Sequence, residues 1–170
     1  MRLPATALPR RFLKPGEMML CREPCQVTTV LGPCVAVTFF SARLKLAAIC
    51  HAMLPSPRGG CTEPCFPEPQ WKYVSIVLPE LMHWFLPPGS GSDVEVKIFG
   101  GAHLLQARGA SPSTTKASVG SANVALAREL LAVAGFVLCA SDTGGTIGRK
   151  VVFDTQSGAV HVKCLRKFLN

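Results

Sequence analysis

The sequence predicts a mixed α/β domain: a layered sandwich of mostly antiparallel or mixed β-sheets with two main helices set among the strands. Three observations carry this expectation. Short apolar runs bounded by Gly and Pro recur through residues 18–54 and 94–165. Two longer stretches space their apolar residues as a helix does. The composition, 48% hydrophobic and 16% charged, suits a buried core and excludes a disordered chain.

Residues 1–13 hold two prolines and three arginines without periodicity, and read as a flexible N-terminal arm. Residues 14–170 read as a single domain. Lys14-Pro15-Gly16-Glu17 is a turn. Strands are expected at Met18–Cys21, Gln26–Leu31, Val35–Phe40 and Leu44–Leu54. The Pro- and Gly-rich stretch 56–70 is a surface loop. Tyr73, Val77, Leu81, Met82 and Phe85 predict a helix over 71–86, which Pro79 should kink or split. Val94–Phe99 is a strand ending at Gly100-Gly101, and residues 106–118 form an exposed Ser/Thr/Gly/Ala-rich stretch. Val119–Ala134 is the clearest helix, with Gly135 as its C-cap. A strand at Phe136–Ala140, a Gly-rich loop at 142–149 and a hairpin of Val151–Asp154 with Ala159–Leu165 complete the chain.

No apolar run approaches the ~20 residues that span a bilayer, and no signal-peptide core is present, so a cytoplasmic location without membrane insertion is expected. The net charge is +8, but the Lys and Arg residues are scattered and no nucleic-acid motif accompanies them. A basic face for an acidic protein partner explains the charge at least as well as nucleic acid does. Eight cysteines in a reducing compartment are mostly buried small hydrophobes. Cys21 and Cys25, and Cys61 and Cys65, repeat a Cys-x3-Cys spacing that could bind zinc. Free thiols are the expectation, with no metal and no cofactor. The Gly144–Gly148 loop lacks the Gly-Lys-Ser/Thr ending of a phosphate-binding loop.

One constellation carries chemistry. Cys34 follows a tight Gly32-Pro33 turn at the start of an apolar strand, and His51 lies in the next one. A thiol and an imidazole on neighbouring strands are the minimum set for nucleophilic catalysis. Cys50 should point to the opposite face of its strand and act in packing.

Several motifs stand in a fixed order: Lys14-Pro15-Gly16-Glu17, Thr28 to Val37, His51-Ala52-Met53-Leu54-Pro55, Val96 to Ala102, Gly120-Ser121-Ala122-Asn123, Gly144 to Val151, and Phe153-Asp154 with Gly158. Over roughly residues 14–165 the chain resembles the chemoreceptor glutamine deamidase family, CheD. The resemblance implies a fold similar to the catalytic domain of the cytotoxic necrotizing factor toxins. It implies a protein-glutamine glutaminase with Cys34 as nucleophile, His51 as base and Thr28 as the residue that orients the imidazole. The implied substrate is a glutamine on the cytoplasmic bundle of a methyl-accepting chemotaxis receptor, and the implied second partner is a CheC-type phosphatase. The sequence departs from the family's usual Gly-Ser-Cys turn: Pro33 replaces the Ser and brings neither hydroxyl nor backbone N–H. That departure favours the alternative of a non-catalytic chemotaxis adaptor.

Overall fold

The computed structural model describes residues 7–57, 70–86, 93–103 and 118–165. Among them run β1 (Arg10–Phe12), β2 (Met18–Cys21), β3 (Gln26–Leu31), β4 (Val35–Ser41), β5 (Leu46–Ala52), α1 (Val74–Phe85), β6 (Glu95–Gly100), α2 (Val119–Val133), β7 (Leu138–Thr143), β8 (Arg149–Asp154) and β9 (Val160–Cys164). They build one sheet of order β1-β3-β8-β9 and a second of order β2-β5-β4-β6-β7. The β1–β3 and β6–β7 pairs are parallel and the others antiparallel. The mixed layered sandwich expected from the sequence is the architecture observed.

Alternation along the strands creates two cores. Val35, Val37 and Phe39 of β4 and Ala48, Cys50 and Ala52 of β5 face α1 and α2. Ala36 of β4 and Ala47 and Ile49 of β5 face the other sheet, where Val27, Leu31, Val151 and Phe153 meet them. The layers are therefore sheet, sheet and helices, with the five-stranded sheet in the middle. A fully buried Leu or Phe side chain contributes roughly 1.5–3 kcal/mol, so the two cores fix how the layers are stacked.

Two sequence expectations change here. Residues 10–12 are not an arm: Arg10, Arg11 and Phe12 pair in parallel with Gln26, Val27 and Thr28, and Leu13 is fully buried in the inter-sheet core. Three residues show no periodicity, so only the neighbouring strand reveals this one. Residues 1–6 lie outside the described residues. In addition, α1 is not split at Pro79 but runs as one helix from Val74 to Phe85. Val74, Val77, Leu78, Leu81, Met82 and Phe85 bury one face of it, while Pro79 sits on the exposed side. That packing outweighs the one backbone hydrogen bond the proline removes. Gly135 ends α2 as expected, with φ +81° and its N–H donating to the Ala132 carbonyl.

Candidate active site

His51 pairs directly with Ala36 across the β4–β5 ladder and shares its face with Ala47 and Ile49. It is 1% exposed. Its backbone is gripped from outside the strand: Gly16 N–H donates to the His51 carbonyl (2.8 Å) and His51 N–H donates to the Glu17 carbonyl (2.9 Å). The Lys14–Glu17 turn thus prolongs the β2–β5 pairing up to the histidine. Lys14 N–H donates to the Glu17 carboxylate (2.8 Å) and holds the turn's shape.

The imidazole is oriented by Thr29. Thr29 Oγ1 and His51 Nδ1 are 2.8 Å apart, and the same hydroxyl lies 2.9 Å from the Leu13 carbonyl oxygen. A carbonyl can only accept, so the Thr29 hydroxyl donates to Leu13. Its oxygen then accepts from Nδ1–H. This assigns the tautomer: Nδ1 carries the proton and Nε2 carries the lone pair. Nε2 is buried and has no hydrogen-bond partner among the described residues. An unpartnered buried polar atom costs about 1–3 kcal/mol, and such a cost calls for an explanation. Burial pushes the imidazole pKa down to about 4, against smaller upward contributions from the Leu13 carbonyl and Glu17. At neutral pH His51 is therefore an uncharged base.

Thr28, on which the family resemblance places the orienting role, lies on the other face of β3. Residues 27, 29 and 31 are the buried phase of that strand, and 28 and 30 are the outer one. Successive strand residues point to opposite sides, so Thr28 and Thr29 cannot share a partner in the inter-sheet space. The threonine that meets His51 is Thr29.

Cys34 stands just before β4, in phase with Ala36 and packed against the inter-sheet core. Since Ala36 is the direct partner of His51, Cys34 is His51's diagonal neighbour on one face of the sheet. Such neighbours lie about 7–8 Å apart at the backbone, within reach of a long or aromatic side chain. The thiol is half-buried, and burial raises its pKa, while its own backbone N–H acts the other way. The pair thus rests as thiol and neutral imidazole. Cys50 is fully buried on the helix side, where burial pushes its thiol up to about 12.

The turn that carries Cys34 is held by its carbonyls. Ala102 N–H donates to the Gly32 carbonyl (2.8 Å) and Gly101 N–H donates to that of Cys34 (2.8 Å). Asn123 of α2 donates through Nδ2 to the Pro33 carbonyl (3.1 Å) and to the Met53 carbonyl (3.0 Å). Gly100 has φ +103°, and a Cβ there would strike the Cys34 carbonyl oxygen, so only glycine admits this approach. A second tier supports the first: Gly144 N–H donates to the Gly100 carbonyl (2.9 Å) and His103 N–H to the Gly145 carbonyl (2.7 Å). Arg149, 4% exposed, donates to the carbonyls of Asp142 and Gly144 and pairs with the Asp142 carboxylate at 2.7 Å. The Gly-rich loop is a backbone brace for the turn that carries Cys34.

Cys34 and His51 are brought to one face as the sequence suggested. Thr29, Asn123 and Arg149 were missed. For Thr29 a signal was available, because Val27 and Leu31 mark the inward phase of β3. Asn123 and Arg149 stand in the motifs that carry the family resemblance, but nothing there assigned them a role, since a polar residue in a helix or at a strand start reads as solvent-facing until the fold buries it. Cys21 and Cys25 bring their sulfurs to 3.8 Å, while Cys61 and Cys65 lie outside the described residues. Among the described residues no group of three or more potential ligands gathers to hold a metal ion, and no helix is long and apolar enough to cross a membrane.

Comparison with known proteins bears on the family. The family model "CheD chemotactic sensory transduction" matches residues 53–164. The probable chemoreceptor glutamine deamidase CheD 2 of Geobacter sulfurreducens is 40% identical over 94% of this chain and 92% of its own. The probable chemoreceptor glutamine deamidase CheD of Oleidesulfovibrio alaskensis is 41% identical over 96% of this chain and 76% of its own. That of Methanococcus vannielii is 30% identical over 89% and 92%. Among solved structures, the Bacillus licheniformis hypothetical protein YfiH overlaps 76% of this chain and 49% of its own, at TM-score 0.44 and 15% identity, too slight a likeness to bear on function. With a family model spanning most of its length and relatives at this identity along nearly all of it, the chain belongs to the CheD family.

Proposed function

We propose that this protein hydrolyses the side-chain amide of glutamines on the cytoplasmic bundle of methyl-accepting chemotaxis receptors, with Cys34 as nucleophile, His51 as base and Thr29 as the orienting residue. The observation that supports this best is the buried, neutral His51, whose Nδ1 is held by Thr29 and whose Nε2 has no partner among the described residues, on the same sheet face as a half-buried thiol. The relatives' names supply the substrate class.

A glutamine amide is a weak electrophile, because its nitrogen donates into the carbonyl. Cys34 attacks the carbonyl carbon as His51 Nε2 takes the thiol proton. The oxyanion is met by backbone N–H groups of the Gly32–Cys34 turn, of which that of Cys34 is available and that of Pro33 does not exist. Collapse of the tetrahedral species expels ammonia, which receives the proton from His51, and leaves a thioester. Water, deprotonated by the same nitrogen, cleaves the thioester to a carboxylate and returns the thiol. The sum is amide plus water giving glutamate and ammonium, with no redox partner needed. An imidazole kept neutral by burial suits this cycle, because it enters each half able to accept a proton.

The product carboxylate changes the receptor's charge and offers a site for methylation. The family likeness extends the proposal to a CheC-type phosphatase that competes with the receptor for this surface, and to action in the cytoplasm. The test is mass spectrometry of a receptor cytoplasmic fragment incubated with the protein. The mass gain of deamidation at a glutamine is the expected result. Binding of the fragment with no mass change would overturn the enzyme and leave an adaptor, the reading that Pro33 favours.

A further inference from the structure

We infer that Asn123 is a positioning residue for the deamidation: its side-chain amide locks the turn carrying Cys34 to the end of the strand carrying His51. The inference rests on the assignment of Cys34 as nucleophile and goes beyond it by naming what holds the two reacting groups in register.

Asn123 lies in the second turn of α2 and is 0% exposed. Both of its donated hydrogen bonds leave its own helix. One goes to Pro33, the residue before Cys34, and the other to Met53, two residues after His51. These carbonyls belong to different segments, separated by the whole of β4 and β5. A single planar amide has two N–H groups at a fixed angle, so it sets the two carbonyls against each other as well as against the helix. No aliphatic side chain could do this.

The remaining oxygen shows that packing alone does not explain the residue. Asn123 Oδ1 is buried with no partner among the described residues. An apolar side chain would avoid that unpaired acceptor. It would also leave both the Pro33 and the Met53 carbonyls without this donor.

The helix itself is anchored for the task. Ser118 caps α2 by accepting from Ser121 N–H at 3.1 Å. Gly120 lies so close to Gly101 and Ala102 that a Cβ would stand 2.7 Å from the Gly101 carbonyl oxygen. Gly101 is the residue whose N–H holds the Cys34 carbonyl. The start of α2, the Gly100-Gly101 segment and the nucleophile turn therefore form one stack, and Asn123 ties that stack to the histidine strand.

The experiment compares wild type, Asn123→Ala, Asn123→Asp and Ala127→Gly of the full chain on one receptor cytoplasmic fragment, with Cys34→Ala alongside. Ala127 is buried one helical turn further along α2, so its change loosens the same helix without removing the clamp. Turnover, KM, melting temperature and the rate of Cys34 alkylation by iodoacetamide are read for each. Loss of alignment lowers kcat of Asn123→Ala roughly 10–100-fold with KM little changed, and alters the alkylation rate. Asn123→Asp, which keeps the shape but presents oxygens to both carbonyls, loses at least as much. Ala127→Gly melts lower yet keeps its kcat and alkylation rate. Wild-type kcat in Asn123→Ala, with Cys34→Ala inactive, would overturn the inference while leaving the nucleophile in place. Equal kcat losses in Asn123→Ala and Ala127→Gly would reduce Asn123 to a packing residue and overturn it too. Full activity of Cys34→Ala would overturn the nucleophile, and the clamp's purpose with it.

Discussion

The two faces of the β4–β5 pair are both packed, but only one holds an ionisable base. Toward the helices stand Val35, Val37, Phe39, Ala48, Cys50 and Ala52. There the Phe39 ring stacks on Phe85 at 5.3 Å and meets Phe136 edge-on at 5.5 Å. Toward the other sheet stand Ala36, Ala47, Ile49 and His51. The first face carries only apolar side chains and one buried thiol. The second also takes an imidazole, with a threonine hydroxyl from β3 against it. The difference teaches how a sheet hosts chemistry. The all-apolar face fixes the strands, and the inter-sheet face uses that rigidity to hold a buried polar pair. Cys34 and Cys50 make the same contrast with one residue type, since only Cys34 is both open to a substrate and in phase with His51.

Substitution at the base should break the comparison most strongly. His51→Gln keeps a polar group on the inter-sheet face but removes the proton acceptor. Turnover of a receptor fragment should fall by about 10²–10⁴, the usual contribution of a general base. A loss of a few-fold or less would mean that the imidazole is a core residue.

The two threonines sharpen it further. Thr29→Val removes the acceptor that holds Nδ1–H and frees the imidazole to turn or to adopt the other tautomer. Single-turnover rates should fall about two- to tenfold, as for one lost hydrogen bond of about 0.5–1.5 kcal/mol. Thr28→Val, on the outer face, should stay near wild type. The reverse order of effects would restore the role to Thr28 and reject the observed contact as the functional one.

A smaller effect is expected in stability against pH. Folding lowers the His51 pKa from its ordinary value near 6.5 to about 4. Between those values the unfolded chain binds more protons than the folded one, so stability is complete above pH 6.5 and declines as pH falls toward about 4. The loss is at most about 3 kcal/mol, since each tenfold weakening of proton binding on folding is worth about 1.4 kcal/mol. His51→Gln should lose less stability across this window. Urea midpoints at about pH 7 and about pH 4.5 measure it for both proteins. Equal losses would show that other groups dominate the acid limb.

Much of this was legible in the sequence because it depends on local pattern. The apolar runs of β4 and β5, the helical spacing in α1 and α2, the glycine that ends α2 and the β8–β9 hairpin are all pattern or turn signals. The Cys34–His51 pairing was legible too, since two adjacent strands separated by a short turn must lie side by side. What escaped depends on contacts distant in sequence. Arg10–Phe12 becomes a strand only because β3 offers it a partner. Asn123 and Arg149 look like surface residues until the helix and the Gly-rich loop close over the turn that carries Cys34. Thr29 lies between these cases: its phase was written in β3, but choosing it over Thr28 needed the position of the imidazole.

The most direct test of the account sets the two faces against each other. Ammonia released from one receptor cytoplasmic fragment is measured with Cys34→Ala and Cys50→Ala under identical conditions. The account predicts that Cys34→Ala releases none while folding like wild type, and that Cys50→Ala, freed of only a packing thiol, keeps most of the activity. Turnover by Cys34→Ala at the wild-type rate, or loss of activity confined to a well-folded Cys50→Ala, would contradict it.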